Sequence, residues 1–175
     1  MKTFRTAFPF VLDTLPPGNF EDLVNARAFN GLTDTMRKGQ GWRLVADDKR
    51  LLRVDDKFLL CHLSSERKAD RAAVLRLKDE RVAAAIESGR DVDIALEFEL
   101  EQQAENEVIK YAPVKNSAVY LLLCPSKRLL IASGGTSARC EDALSFLRKT
   151  IDSLSVMPWG DVSVCLLYTS PSPRD

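Results

Sequence analysis

The sequence predicts an α+β protein with an antiparallel sheet, covering helices and an inserted helical finger. Apolar segments of strand type lie in both halves of the chain, and a run of helix-forming residues without glycine or proline separates them. An amphipathic helix follows the last pair of strands. With 175 residues the chain is about the size of one domain. Of its residues 45% are hydrophobic and 29% charged, which is apolar enough for a buried core.

The charges of the chain balance, because 25 Lys and Arg residues stand against 25 Asp and Glu residues. This excludes a tail-like basic or acidic protein, so a nucleic-acid partner would have to be bound by a local patch. No apolar run approaches the roughly 18 residues of a membrane-spanning helix, and the first residues lack a secretory signal. We therefore expect a cytoplasmic location and no membrane partner.

The N-terminal third predicts one strand, one helix and a group of short strands. Residues Phe4–Leu12 alternate large apolar side chains with smaller or polar ones. After the turn signal Pro16-Pro17-Gly18, Asn19 can cap a helix over Phe20–Phe29. A meander of antiparallel strands is then predicted from three apolar segments: Trp42–Val45, Leu51–Val54 and Lys57–Leu63.

A long helix is predicted over Arg67–Ile86, with Gly89 just past its end. At about 100° per residue its apolar stripe consists of Leu75, Val82 and Ile86. The adjoining arc carries the cations Arg67, Arg71 and Lys78. The next segment, Asp91–Glu101, fits a strand because apolar residues alternate, but it also fits a helix, and both interpretations stay open.

Opposite charges are concentrated in this central region. Cations exceed carboxylates by three over residues 67–81, whereas residues 91–107 carry seven carboxylates and no cation. One interpretation is two neighbouring solvated surfaces that attract each other. The other is a cationic surface that binds nucleic acid.

The C-terminal part predicts an antiparallel strand pair and a covering helix. The strands are Ala118–Cys124 and Leu129–Ala132, joined by a turn at residues 125–128. A helix capped by Ser137 follows and is expected to stop at Pro158. Its apolar face consists of Leu144, Leu147, Ile151 and Leu154. Residues Asp161–Val164 would begin a further strand.

The last eleven residues, 165–175, match the translation of a transposase sequencing adaptor. We therefore leave them out of the fold prediction and expect the natural protein to continue past Val164. An ordinary Ser- and Pro-rich tail is the alternative.

Few residues offer catalytic chemistry. The single histidine, His62, follows Cys61 in an apolar strand, which indicates a satisfied sheet histidine rather than a catalytic pair. The triplets Asp47-Asp48-Lys49 and Asp55-Asp56-Lys57 could hold Mg²⁺ in a nuclease, but they are also common at hairpin turns. The stretch Gly134–Ser137 could receive a phosphate or form a tight strand-to-helix connection. Buried, unpaired thiols are expected at Cys61, Cys124, Cys140 and Cys165.

The segment Glu141–Pro158 resembles the RdgC family of recombination-associated proteins, whose members carry a similar run containing Leu-Arg-Lys and Ser-Leu and ending in Pro. Supporting segments occur in the same order, at Phe4–Leu12, Gly41-Trp42, Leu59–Cys61 and Leu129–Ala132. The resemblance covers most of residues 1–164 but only the N-terminal part of a family member.

The resemblance implies a non-catalytic protein without a cofactor that binds double-stranded DNA with little sequence preference. Family members form a ring-like dimer with DNA in its positively lined hole, associate with the nucleoid, and restrain RecA-type recombinases by occupying DNA. The central domain here would be residues 1–64 and 113–164, with residues 65–112 as the finger that meets its twin. The expected phosphate contacts are Arg67, Arg71, Lys78, Lys110, Lys115, Lys127 and Arg128.

Two differences from the family are visible. The family's Leu-Leu-Pro-Arg-Ala-Phe motif is replaced by Tyr111–Asn116, in which only Pro113 matches, although Lys115 could supply a displaced cation. The second half of the finger is acidic here. Two rival functions remain: a Mg²⁺-dependent nuclease that uses the aspartate triplets, and a protein-interaction module built on the acidic surface at residues 91–107.

Overall fold

The computed structural model describes residues 6–34, 36–152 and 154–159. The helices are α1 (Phe20–Ala26), α2 (Arg71–Glu87), α3 (Ile94–Tyr111) and α4 (Ser137–Thr150). The strands are β1 (Ala7–Leu12), β2 (Lys38–Arg43), β3 (Leu51–Val54), β4 (Lys57–Arg67), β5 (Val114–Cys124), β6 (Leu129–Ser133) and β7 (Val156–Pro158). This confirms the predicted α+β class. Among the described residues, none of the helices is both long enough and apolar enough to cross a membrane.

The chain divides into two compact units. The first unit is formed by the described residues within 1–30, 40–63 and 117–175, and it contains α1 and α4. The second unit comprises residues 31–39 and 64–116, and it contains α2 and α3. The predicted strand at 161–164, the tail at 165–175 and Cys165 lie outside the described residues.

One sheet has the strand order β2-β4-β5-β6-β1-β7, and β3 also pairs with β4. The predicted antiparallel pair is confirmed, since Leu123 of β5 lies opposite Leu130 of β6. The hairpin of β3 and β4 is also antiparallel. The predicted meander is wrong in two respects, because its first strand is Lys38–Arg43 instead of Trp42–Val45 and because β2 neighbours β4 instead of β3. Strand β4 has 11 residues and is therefore long enough to pair with both β2 and β3.

The core of the first unit is formed by sheet residues and the apolar face of α4. All four apolar residues predicted for this face are buried. The helix ends earlier than predicted, at Thr150, and its N-cap is Thr136, one residue before the predicted Ser137. Pro158 does not stop the helix. It belongs to strand β7, where it lies opposite Phe10 of β1. β7 is an edge strand, where a residue without an N–H is tolerated.

Helix α1 is three residues shorter than predicted, and Asn19 makes no capping hydrogen bond through its side chain. The chain leaves the helix because Ala28 forms a bridge with Trp42, and the N–H of Phe29 donates to the Trp42 carbonyl. This close approach requires glycine at position 41, since a Cβ there would lie 2.8 Å from the Phe29 backbone. The tertiary contact therefore overrides helix propensity.

The ambiguous segment Asp91–Glu101 is helical from Ile94 onward. Asp93 caps α3 by accepting a hydrogen bond from the N–H of Leu96, at 2.8 Å. Asp70 caps α2 in the same way, so that helix begins at Arg71 and Arg67 lies on β4. The apolar stripe predicted for α2 is wrong, because Leu75 and Ile86 are exposed while Val74 and Ala85 are buried.

Candidate nucleic-acid interface

The cations of α2 face the carboxylates of α3. Lys78 pairs with Glu97 at 2.9 Å and Arg71 with Glu101 at 3.5 Å. Arg81 and Glu107 form a third pair. For these pairs the prediction of two surfaces that attract each other is confirmed. Two of the expected phosphate contacts, Arg71 and Lys78, therefore have anionic partners on α3, and a third, Arg67, lies 3.9 Å from the Asp34 carboxylate.

These ion pairs differ in their exposure to solvent. Arg71 is largely exposed, whereas the side chain of Lys78 is mostly covered. The hydrogen bond to Glu97 raises the pKa of Lys78 above its ordinary value, with burial opposing the shift. Lys78 therefore stays protonated over the physiological range, but its charge is shared with a carboxylate. Arg71 remains accessible to a larger anion.

A groove of about 380 Å³ lies within the second unit, and we call it the basic groove. Its cationic lining consists of Arg37, Lys38, Arg67, Lys68 and Arg71. Its carboxylates are Glu66, Glu101 and Glu105. Val74 and Ile109 contribute apolar contacts. Positive charge thus exceeds negative charge in this groove, which suits an anionic ligand.

Glu66 lies among three lysines. Its carboxylate pairs with Lys38 at 3.2 Å and with Lys68 at 3.8 Å. The hydrogen bond from Lys38 lowers the pKa of Glu66, and the charges of Lys38, Lys68 and Lys115 act in the same direction. Glu66 is therefore ionised at neutral pH and offsets part of the positive charge around it.

Arg67 has a structural role. Its guanidinium donates hydrogen bonds to the carbonyls of Thr33 and Asp34, and its backbone N–H donates to the Arg37 carbonyl. The side chain is only 11% exposed. Of the expected phosphate contacts in the second unit, Arg67 is therefore the least accessible. It fixes the 31–39 segment beside the end of β4.

A second groove of about 320 Å³ in the same unit is lined by Lys68, Lys115 and Tyr111, among others. Lys110 and Lys115 are exposed and form no ion pair with any other described residue. Tyr111 is also exposed, at 86%. This groove therefore combines the Tyr111 ring with Lys68 and Lys115, beside the carboxylate of Asp70.

Lys127 and Arg128 lie in the first unit, at the turn between β5 and β6. Both are exposed, and Arg128 has the left-handed φ of +48°. The turn is fixed by backbone hydrogen bonds, because the Arg128 N–H donates to Pro125 and its carbonyl accepts from Leu12. The seven expected phosphate contacts are thus divided, with five in the second unit and two in the first.

Sequence reasoning missed Arg37 and Lys38. Arg37 pairs with Glu105 at 2.8 Å, and both cations line the basic groove. They lie more than thirty residues before α2 in the sequence. A count of charges over the helical region therefore did not include them. The only sequence signal was the local pair of cations before Gly39.

The aspartate triplets lie at turns. Asp47 and Asp55 have positive φ values of +27° and +55°, which short polar residues tolerate at turns. Asp56 accepts a hydrogen bond from Ser126, which lowers the pKa of its carboxyl group. Among the residues that the structure describes, no group of three or more His, Cys, Asp or Glu side chains is placed to hold a metal ion. The turn interpretation of the two triplets is confirmed.

The loop before α4 is a tight connection. Gly134 has a φ of +110°, and a Cβ there would lie 2.7 Å from the Ala118 carbonyl oxygen. The Thr136 hydroxyl caps the helix by accepting from the N–H of Arg139. The conformation of this glycine is thus explained by strand-to-helix packing.

His62 is buried in β4 against the rings of Trp42 and Phe146. Its Nε2 has no hydrogen-bond partner among the described residues, so the prediction of a satisfied histidine is wrong at this atom. The neighbouring Cys61 is also buried, as are Cys124 and Cys140, and none of these three forms a disulfide bond with another described residue, as predicted.

The sheet, its covering helix and a unit with cation-lined grooves define an α+β protein with surfaces suited to anions. Residues 1–163 match the family model described as "Putative exonuclease, RdgC". Over 142 residues the chain is 30% identical to the "Recombination-associated protein RdgC" of Proteus mirabilis (strain HI4320). The chain belongs to the RdgC family. The match covers 79% of this chain and 47% of that relative, so the chain spans about half the relative's length.

Proposed function

We propose that this chain is a non-catalytic protein that binds double-stranded DNA without sequence preference. It modulates homologous recombination by limiting the access of RecA-type recombinases to DNA. Family membership and the printed name of the Proteus mirabilis relative support a role in recombination. The cation-lined basic groove is the observation that carries the DNA-binding part of the proposal.

Binding without sequence preference needs cations that reach phosphate oxygens, and no helix in the major groove. Of the expected phosphate contacts, four are exposed and form no ion pair with other described residues: Lys110, Lys115, Lys127 and Arg128. Arg71 and the neighbouring Lys68 are also exposed, although each pairs with a glutamate. Each contact with a phosphate releases counterions, so affinity must fall as salt rises. This binding would take place in the cytoplasm, on the nucleoid.

We further propose that the chain acts as a homodimer. Three exposed apolar residues flank the loop between α2 and α3: Ile86, Ile94 and Phe98. Ile94 is 90% exposed. Side chains of this kind mark contact surfaces when they lie close together, and a second copy would cover them. The finger's contact with its twin would then be apolar, and the cations would remain for DNA.

A strand-exchange assay tests the proposed function. The 175-residue chain is incubated with a duplex before a RecA-type recombinase filament is added. We expect exchange to fall as the chain is titrated, equally for two duplexes of unrelated sequence. A Lys115→Gln/Lys127→Gln variant should inhibit less. Undiminished exchange at concentrations that saturate the duplex would contradict the proposal.

The nuclease alternative has one observation in its favour, which is the word exonuclease in the description of the family model. It is tested by incubating the chain with end-labelled linear DNA and Mg²⁺. We expect the label to stay in full-length strands. Mg²⁺-dependent loss of label that Asp48→Asn/Asp56→Asn abolishes would establish the nuclease in place of the proposed function.

A further inference from the structure

The basic groove already contains anionic side chains from its own unit. Glu105 Oε1 lies 2.8 Å from Arg37 Nη1, and Glu101 Oε1 lies 3.5 Å from Arg71 Nη1. The two glutamates are four residues apart on α3 and therefore share one face of the helix. They pair with the two more exposed of the three guanidinium groups that line the groove.

Resting on the function proposed above, we propose that the basic groove is a phosphate site for the DNA backbone that Glu101 and Glu105 close in the free protein. A duplex binds there by displacing these carboxylates from Arg71 and Arg37. The acidic face of α3 is thus an internal competitor of DNA.

The chemistry of the groups makes this exchange possible. A guanidinium group presents parallel N–H donors that fit a carboxylate and a phosphate equally well. Arg37 and Arg71 are 45% and 77% exposed in their side chains, so both pairs are weakened by solvent and salt. A duplex presents phosphates at high density and can replace both carboxylates at once.

Displacement of an internal carboxylate differs from displacement of a salt ion. A carboxylate of Glu101 or Glu105 that DNA displaces stays close to the phosphates, so the arginine and the glutamate together bring little net positive charge. That contact therefore releases few counterions from the DNA and adds little to the salt dependence. When the carboxylates are removed, the same arginines become ordinary phosphate contacts. Each should then add up to about 0.9 to the slope of log K against log salt.

The test compares two variants of the 175-residue chain that change charge equally. Glu101→Gln/Glu105→Gln removes the competitor. Glu87→Gln/Glu99→Gln is the matched control, because Glu87 forms no ion pair with another described residue and Glu99 accepts from Gln103. Affinity for a labelled random duplex is measured by fluorescence anisotropy at several salt concentrations.

We expect Glu101→Gln/Glu105→Gln to bind at least about tenfold more tightly at low salt than the control, with a slope steeper by up to about 1.8. Adding Arg37→Gln/Arg71→Gln should abolish this gain. If circular dichroism shows the double variant unfolded, Glu101→Gln and Glu105→Gln are measured singly, each with about half the change in slope.

Equal affinity and slope for the variant and its control, with the unsubstituted chain binding DNA, would overturn this inference and leave the proposed function intact. If neither the unsubstituted chain nor any variant binds the duplex at low salt, the proposed function fails and this inference fails with it. Binding that appears only after Glu101 and Glu105 are replaced supports the internal competitor.

Discussion

The Nζ of Lys78 donates a hydrogen bond to Oε2 of Glu97 across 2.9 Å, joining α2 to α3. This bond raises the pKa of Lys78 and at the same time engages its charge. Lys115 is exposed and forms no ion pair with other described residues. The two lysines therefore have different capacities to bind phosphate, although the sequence predicts the same role for both.

Lys115→Gln should reduce the salt slope of duplex binding by about 0.9, the share of one phosphate contact. Lys78→Gln changes the charge by the same amount but should change the slope by less than half of that, because Glu97 already neutralises the lysine. Fluorescence anisotropy over a range of salt concentrations measures both. Equal losses for the two variants would show that the ion pair does not restrain Lys78.

Thr150→Val should destabilise the protein by about 1–3 kcal/mol, because it leaves a buried indole N–H without an acceptor. Trp42 Nε1 donates to Thr150 Oγ1 at 3.1 Å, and both residues are buried. Urea unfolding measures the change. In a Trp42→Phe background, Thr150→Val should lower the free energy of unfolding by a smaller amount. An equal loss in both backgrounds would refute the role of this hydrogen bond.

The stability of the protein should fall as the pH drops below the ordinary pKa of histidine. Burial lowers the pKa of His62 from 6.5 to about 4, with the charge of Asp142 opposing the shift. The unfolded chain therefore binds a proton before the folded protein does. The contribution of neutral His62 is fully present above pH 6.5 and is lost as the pH falls from 6.5 towards 4.

Each pKa unit corresponds to about 1.4 kcal/mol, so this loss is on the order of 3 kcal/mol. Urea unfolding at several pH values measures it. His62→Leu should flatten the pH dependence in this window and should retain stability near pH 7, because it also removes the unpartnered Nε2. A pH dependence unchanged by His62→Leu would assign the effect to other groups.

Ile94→Glu/Phe98→Glu should weaken self-association of the chain, because it places charges on an exposed apolar surface that a second copy would cover. Sedimentation equilibrium measures the dimer fraction. Val54→Glu, at another exposed apolar residue, is the control and should leave the dimer unchanged. A dimer that survives the substitutions in α3 would move the interface elsewhere.

The elements of the first unit are largely predictable because local pattern and burial agree there. The apolar face of α4 repeats at helical spacing, and the β5–β6 pair is bounded by turn residues. The prediction fails where a distant contact decides the conformation. Helix α1 ends early because Ala28 and Phe29 meet Trp42, and no pattern within residues 20–29 shows that contact.

The charged surface was only partly predictable. The opposed charges of residues 67–81 and 91–107 indicate mutual attraction, and the pairs of Arg71 and Lys78 confirm it. The basic groove depends on Arg37 and Lys38, which tertiary structure brings to α2 and α3. A count of charge along the sequence does not contain that information.

The most direct test of the central claim is the affinity of the 175-residue chain for two unrelated duplexes, measured by fluorescence anisotropy as salt increases. We predict equal affinities for the two sequences and a linear fall of log K with log salt, with a slope that corresponds to several phosphate contacts at about 0.9 each. An affinity that does not change with salt, or a strong preference for one of the duplexes, would contradict the account.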